Sequence, residues 1–179
     1  ILHAKKVIGC DGTRSTVRQL LNIATEEIDY QQSAIVTITQ LQRDHQHIAY
    51  ERFLAEGAIA MLPMQNNCVA TIWTDQNATI KQLMQASDVE FLKSLQAAFG
   101  YRLGRLLSIG KRYVFPLHFI LAKETQKEHV ILIGNAAHTI HPVAAQGLNL
   151  ALHEVAQVAQ QINARETLSA PTPVSYTHL

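Results

Sequence analysis

Glycine is scarce in this chain and wrongly spaced for a dinucleotide fingerprint. Its 179 residues include eight glycines. None falls into a GxGxxG pattern, since Gly100, Gly104 and Gly110 lack both that spacing and a preceding buried strand. Cysteine is limited to Cys10 and Cys68, too far apart for CxxC, which excludes a disulfide framework and fits a reducing environment. Neither sign of charge dominates: 15 Lys and Arg against 14 Asp and Glu leave a net +1, with no basic block to attract nucleic acid. No apolar run approaches the roughly 20 residues of a membrane span, and no signal peptide opens the chain. Any membrane contact is therefore expected to be peripheral. Ser15 and Ser33 lack the GxSxG elbow of a serine nucleophile. His138 and His141 have no nearby cysteine or carboxylate to complete a metal set, so no metal is expected. What remains is an ordinary folded chain, 47% apolar and 16% charged, long enough for one substantial core.

Two segments stand out. In the first, an apolar strand at His129–Ile133 runs into Gly134-Asn135-Ala136-Ala137-His138, then Pro142, then Gln146-Gly147-Leu148-Asn149 opening a helix. Small residues allow close backbone approach, and a helix N-terminus offers free N–H groups and partial positive charge. That combination suits a large, electron-rich ligand. In the second, Lys5 to Arg18 reads as a buried strand, an Asp11-Gly12 turn and a helix starting near Ser15.

These segments resemble the second flavin-binding motif (Gly-Asp-Ala-Ala-His…Pro…Gly-Gln-Gly-x-Asn) and the Asp-Gly motif of the FAD-dependent aromatic-ring hydroxylases, in family order. Asn135 stands where the commoner pattern has Asp, and Ala145 where many members have Gly. Asn135, the Thr-x-His-Pro that follows, and the stretch Ala49 to Met64 are similar to the ubiquinone-biosynthesis branch that acts on 2-polyprenyl-6-methoxyphenol. The resemblance implies FAD as cofactor, NAD(P)H as electron donor, and hydroxylation of a polyprenylated phenol through a flavin C4a-hydroperoxide. It assigns cofactor contacts to Asp11, Gly12, Arg18, Gly134, Asn135, Pro142, Gln146, Gly147, Leu148 and Asn149. Arg18 either pairs with phosphate or bridges to Asp11. No side chain is assigned as catalytic, because the cofactor carries the chemistry. Arg52, Phe53, Met61 and Leu62 are candidate substrate contacts. Arg52 fixes the phenol or faces solvent, and the apolar residues line a pocket or are plain core. The implied setting is cytoplasmic, peripheral at the inner membrane, among other ubiquinone-pathway proteins. Two other functions share these features: a flavin-dependent isoprenoid reductase, and a non-catalytic domain that binds a prenyl lipid or scaffolds other enzymes.

The expected fold is α/β, an α+β segment joining part of a flavin-binding Rossmann-like domain to an antiparallel-sheet substrate domain. Residues 1–30 and 123–167 form the flavin pieces, residues 31–122 the substrate domain, and residues 168–179 resemble a non-native adaptor tail. Without a GxGxxG segment, the chain resembles the middle of a longer protein and is expected to hold FAD weakly by itself. Periodicity predicts a central strand at Val7–Cys10 and a helix face of Val17, Leu20 and Leu21. Further strands are expected at Ser33–Gln42, Ile48–Leu54, Ala58–Pro63, Cys68–Thr74 and Lys111–Phe119. Helices are predicted at Thr79–Ala86, Asp88–Phe99 and Gln146–Asn163, the last an amphipathic helix with Leu148, Leu152, Val155, Ala159 and Ile162 at helical spacing.

Overall fold

The computed structural model describes residues 3–142, 146–164 and 167–171. In chain order, β1 (Val7–Gly9) and α1 (Thr16–Leu20) precede the long strand β2 (Thr25–Leu41). Then come β3 (Tyr50–Phe53), β4 (Ala58–Pro63), β5 (Cys68–Gln76), α2 (Asn77–Gln85) and α3 (Asp88–Phe99). The chain returns through β6 (Leu106–Ile109), β7 (Tyr113–Ala122), β8 (Gln126–Lys127) and β9 (Val130–Leu132). A 3-10 turn at Gly134–Ala136, β10 (His138–Thr139) and α4 (Gln146–Asn163) complete it. The mixed α/β class is the expected one. Two compact units result: Ile1–Asp29 with His118–Leu179, and Tyr30–Leu117.

The Tyr30–Leu117 unit is an antiparallel sheet in the order β6-β2-β5-β4-β3, with α2 and α3 on one face. Alternation along β2 sends Ile35, Thr37, Thr39 and Leu41 to the buried side, as the sequence predicts. There Ile35, Ile59, Met61, Val69 and Trp73 meet Phe91, Leu95 and Phe99 of α3. Phe91 and Leu95 are wholly buried, worth about 1.5–3 kcal/mol each. The hydroxyls of Thr39 and Thr71 bond each other at 2.7 Å, so neither is stranded in that core. Ser87 and Glu90 close a capping box at the start of α3. Arg112 donates to the carbonyls of Leu83 and Ala86 at the end of α2 and lies over the Phe91 ring.

Several elements differ from expectation. β2 starts at Thr25 rather than Ser33: Thr25–Gln32 is largely polar and lacks the apolar alternation of the rest of the strand, which also has β7 as a neighbour. β3 begins at Tyr50, since Gln46 and His47 take positive φ in a turn pinned by the buried His45. The short β6 was not expected.

In the other unit β1 runs parallel to β9, and β8 pairs antiparallel on its far side. β1 therefore sits at the edge of this sheet among the described residues, not at its centre, and Val7 and Ile8 are exposed. Leu20 turns outward at 77% exposure, leaving Val17 and Leu21 to pack with Ile23, Leu132 and Ala136. α4 has the predicted bounds. Its buried stripe is Leu150, Glu154 and Val158, whereas Leu148, Leu152, Val155, Ala159 and Ile162 face outward. Both stripes are apolar enough to pack, and the bonds of the Glu154 carboxylate, described below, select the first. Leu168 and Ala170, in the segment read as a tail, pack against Ile131, Ile133 and Val158.

Gly57 packs directly on the β5 backbone, where an added Cβ would stand 1.9 Å from the Thr74 carbonyl oxygen. Gly57→Ala is expected to destabilise the protein by about 1–3 kcal/mol through overpacking. Gly110→Ala, whose Cβ would have 3.7 Å to its nearest neighbour, should change the urea midpoint little.

Candidate functional site

Parallel pairing places the C-terminal ends of β1 and β9 side by side, in the register Val7↔Val130 to Gly9↔Leu132. The N–H of Ile133 reaches the Gly9 carbonyl at 3.0 Å and extends the ladder one step. The two motif loops leave from these adjacent ends, the position where α/β sheets hold ligands.

In the first loop Gly12 adopts φ +88°, and nothing lies within 4 Å of where its Cβ would be. Asp11 is exposed, and its Oδ2 accepts the Val17 N–H at 3.1 Å. A bond from Ser15, joined by the backbone N–H groups of α1, holds the Asp11 carboxyl below its ordinary value. Ser15, fully buried, caps α1 by accepting the Arg18 N–H.

In the second loop Gly134 takes φ +58°, a conformation that favours glycine, and opens the 3-10 turn. Ala136 and Ala137 are wholly buried, while Asn135 is exposed. Pro142 is exposed, Gln146 and Gly147 are half-buried, and Leu148 and Asn149 are exposed at the start of α4. The space beside Gly147 is open, its nearest neighbour being Ile140 at 3.9 Å. Ala145 lies outside the described residues.

Arg18 joins the two loops. It is 6% exposed; one terminal nitrogen donates to the Ala136 carbonyl and the other to the Thr13 carbonyl, each at 2.8 Å. The hydroxyls of Thr13 and Thr139 meet at 3.0 Å beside it. Two of the five guanidinium N–H donors of Arg18 thus go to main-chain carbonyls, one in each loop.

Sequence reasoning missed Glu154. Its carboxylate, buried in the middle of α4, accepts the Gly134 N–H at 2.7 Å and pairs with His138 Nε2 at 2.8 Å. The available signal was an acid four residues from both Leu150 and Val158, on a helix face otherwise apolar. The imidazole of His141 is half-buried, and this burial lowers its pKa below the ordinary histidine value. No group of three or more metal-binding side chains exists among the described residues.

The four candidate substrate contacts do not form one surface. Met61 and Leu62 are neighbours in β4 and so point to opposite faces. Met61 is core, wholly buried, and Arg52, opposite Ile59 on the same side, donates to the Phe99 carbonyl at 2.7 Å. Leu62 and Phe53 lie on the other face, 43% and 71% exposed. The register adds Val36, Ile38, Ala60, Ala70 and Ile72 to that face, with Ile38 48% exposed. The result is a broad, open apolar surface. Its signal was the second apolar stripe of β2, Val36 and Ile38, interleaved with the buried one.

Arg18→Met should cost about 3 kcal/mol in urea unfolding, since two carbonyls lose a charged donor. Arg18→Lys should recover less than half, because one ammonium cannot span both acceptors. For Asp11, Ser15→Ala should raise the carboxyl midpoint, read by NMR, toward the ordinary 3.8. Because the folded value is depressed, the stability it contributes is present above the unfolded value and lost as pH falls through the folded one.

The chain matches the family described as FAD binding domain over residues 1–172. It is 35% identical over 167 residues to the ubiquinone hydroxylase UbiL of Rhodospirillum rubrum, covering 93% of this chain and 39% of that protein. Against the 3-demethoxyubiquinol 3-hydroxylase of Escherichia coli it is 34% identical over 166 residues, 92% of this chain and 42% of that one. It thus spans about two-fifths of the length of these curated relatives. Among solved structures, Pseudomonas aeruginosa PqsL in complex with 2-aminobenzoylacetate shares the fold, with a TM-score of 0.72 at 22% identity over 89% of this chain and 45% of that one. With its two motif loops on adjacent parallel strands and a family match across nearly its whole length, the chain belongs to the FAD binding domain family.

Proposed function

We propose that the protein containing this chain is an FAD-dependent monooxygenase that hydroxylates a polyprenylated phenol of ubiquinone biosynthesis, with NAD(P)H as electron donor. The observation that carries this reading is the adjacency of the two motif loops, tied by Arg18 and followed by an 18-residue helix with no acid in its first turn. The names of the ubiquinone-pathway relatives support the substrate class.

The residues present suit a flavin nucleotide. Gly12 and Gly147 leave open space where a side chain would intrude, and Asn135 and Asn149 expose amides that can both donate and accept. In this reading Asp11 and Gly12 approach the pyrophosphate and ribose through N–H groups or water. Gly134 shapes the turn that exposes Asn135, whose amide would hold a hydroxyl of the cofactor. Gln146 opens the helix, the backbone N–H groups of Gly147, Leu148 and Asn149 would hold the negative charge of the reduced flavin, and Pro142 would help wall its site. When bound, the flavin supplies activation of oxygen, using two electrons from NAD(P)H. Arg18 acts behind these contacts by keeping the loops in register.

The open face of Val36, Ile38, Leu62, Ile72 and Phe53 offers an apolar surface for a prenylated substrate. Met61 and Arg52 belong to the other face and support the sheet from behind. No helix of the described residues is long and apolar enough to cross a membrane. The lipid tail of the substrate favours peripheral contact with the inner membrane, alongside other pathway proteins.

The test is single-turnover hydroxylation of a prenylated phenol by the whole protein under labelled oxygen gas. One labelled atom in the product is expected, and a reduced, unlabelled product would overturn the reading. Gly147→Ala separates binding from folding. It should raise helix stability by up to about 1 kcal/mol, yet weaken FAD binding about tenfold, or 1.4 kcal/mol. Leu62→Gln should raise KM for the prenylated phenol while leaving FAD affinity unchanged.

A further inference from the structure

We infer that Glu154 is a positioning residue of the proposed flavin site, fixing the Gly134–His138 turn against α4 and thereby setting where Asn135 and the start of the helix stand. The inference rests on the flavin reading above but concerns a residue that touches neither cofactor nor substrate.

A carboxylate in the middle of a helix, nine-tenths buried between Leu150 and Val158, is an expensive choice. Removing a charge from water costs several kcal/mol unless partners restore what water gave. An apolar side chain would fill this stripe without that cost. Both carboxylate oxygens are instead used. Oε2 accepts the N–H of Gly134, and Oε1 faces His138 Nε2. As a carboxylate, Glu154 accepts at both oxygens, an arrangement matched by an imidazole with its proton on Nε2.

The two partners bracket the turn. Gly134 is its first residue, just beyond the last ladder bond of β9, in a left-handed conformation. His138 is where the chain re-enters strand pairing, opposite Leu121 of β7. The helix presses on the same turn, since a Cβ on Gly134 would stand 3.6 Å from that of Ala151. One side chain thus clamps both ends of a five-residue segment whose exposed member is Asn135. Glu154 follows Gln146 by eight residues, roughly 12 Å along a rigid helix axis. Its grip therefore also fixes how far the helix N-terminus projects toward the groups that Asn135 meets.

Gln at 154 can still accept from Gly134, but its amide then donates toward His138, which must move its proton to Nδ1. Leu keeps the packing and removes both bonds. The experiment uses the 15N-labelled 179-residue chain as wild type, Glu154→Gln, Glu154→Leu and the exposed control Gln160→Ala. It reads Gly134 amide exchange, the imidazole 15N shifts of His138, and FAD titrations followed at the amides of Asn135 and Gly147 to Asn149. Weak binding is measurable this way.

In Glu154→Leu the Gly134 amide should exchange about a hundredfold faster while Ile131 in β9 stays protected, and the FAD Kd of the folded protein should rise about tenfold. Glu154→Gln should keep Kd within about threefold and shift His138 to the Nδ1–H pattern. Gln160→Ala should change nothing. A folded Glu154→Leu protein with wild-type Gly134 exchange and FAD affinity overturns the inference. If Glu154→Leu does not fold, an unchanged His138 pattern in Glu154→Gln overturns it instead. Should wild type itself show no FAD-dependent shifts, the flavin reading fails, and Gly134 exchange still decides whether Glu154 holds the turn.

Discussion

Parallel pairing of β1 with β9 is the constraint on which the rest of this unit depends. It joins segments more than a hundred residues apart in sequence and brings their C-terminal loops to one edge. Gly9 lets the Leu132 and Val17 side chains pack close, since a Cβ there would stand 2.8 Å from Leu132 Cδ2 and 3.1 Å from Val17 Cγ1. With the strands adjacent, Arg18 can reach Ala136 across 118 positions. Contacts so distant in sequence are entropically slow to form, so the intervening sheet unit must be compatible with the closure.

That unit has its own logic. The strand register assigns every side chain of β2, β4 and β5 to one of two faces. One face is closed by α2 and α3, and the other is left apolar and open. A sheet with hydrophobic residues on both faces normally has both covered. Here the second face keeps exposed Ile38, Leu62 and Phe53, a concentration of apolar surface that signifies binding more readily than chance.

The elements with strong local signals were legible in the sequence. The strand at Ala58–Pro63, the one expected at Cys68–Thr74 and running two residues further, the capped helix at Asp88–Phe99, and the bounds of α4 follow from alternation, caps and helical spacing. The motif glycines were readable too, since Gly12 and Gly134 both need positive φ. Direction was less legible. α4 carries two apolar stripes, and hydrophobic spacing alone does not tell which packs inward. Motif resemblance conveyed the position of Arg18 but not its burial or its bonds to two carbonyls. Met61 and Leu62 looked like one pocket wall until strand geometry put them on opposite sides.

The bonds of Arg18 have a further consequence for how this scaffold can change. Both of its acceptors are main-chain carbonyls, on Thr13 and Ala136. The bolt therefore reads the path of the backbone and is indifferent to the chemistry of the side chains it passes. Exposed loop positions such as Arg14 and Asn135 can drift, or be randomised in the laboratory, without loosening the junction of the two strands. Loop side chains can change while the buried cation, together with the Glu154 clamp, keeps the main-chain frame in place.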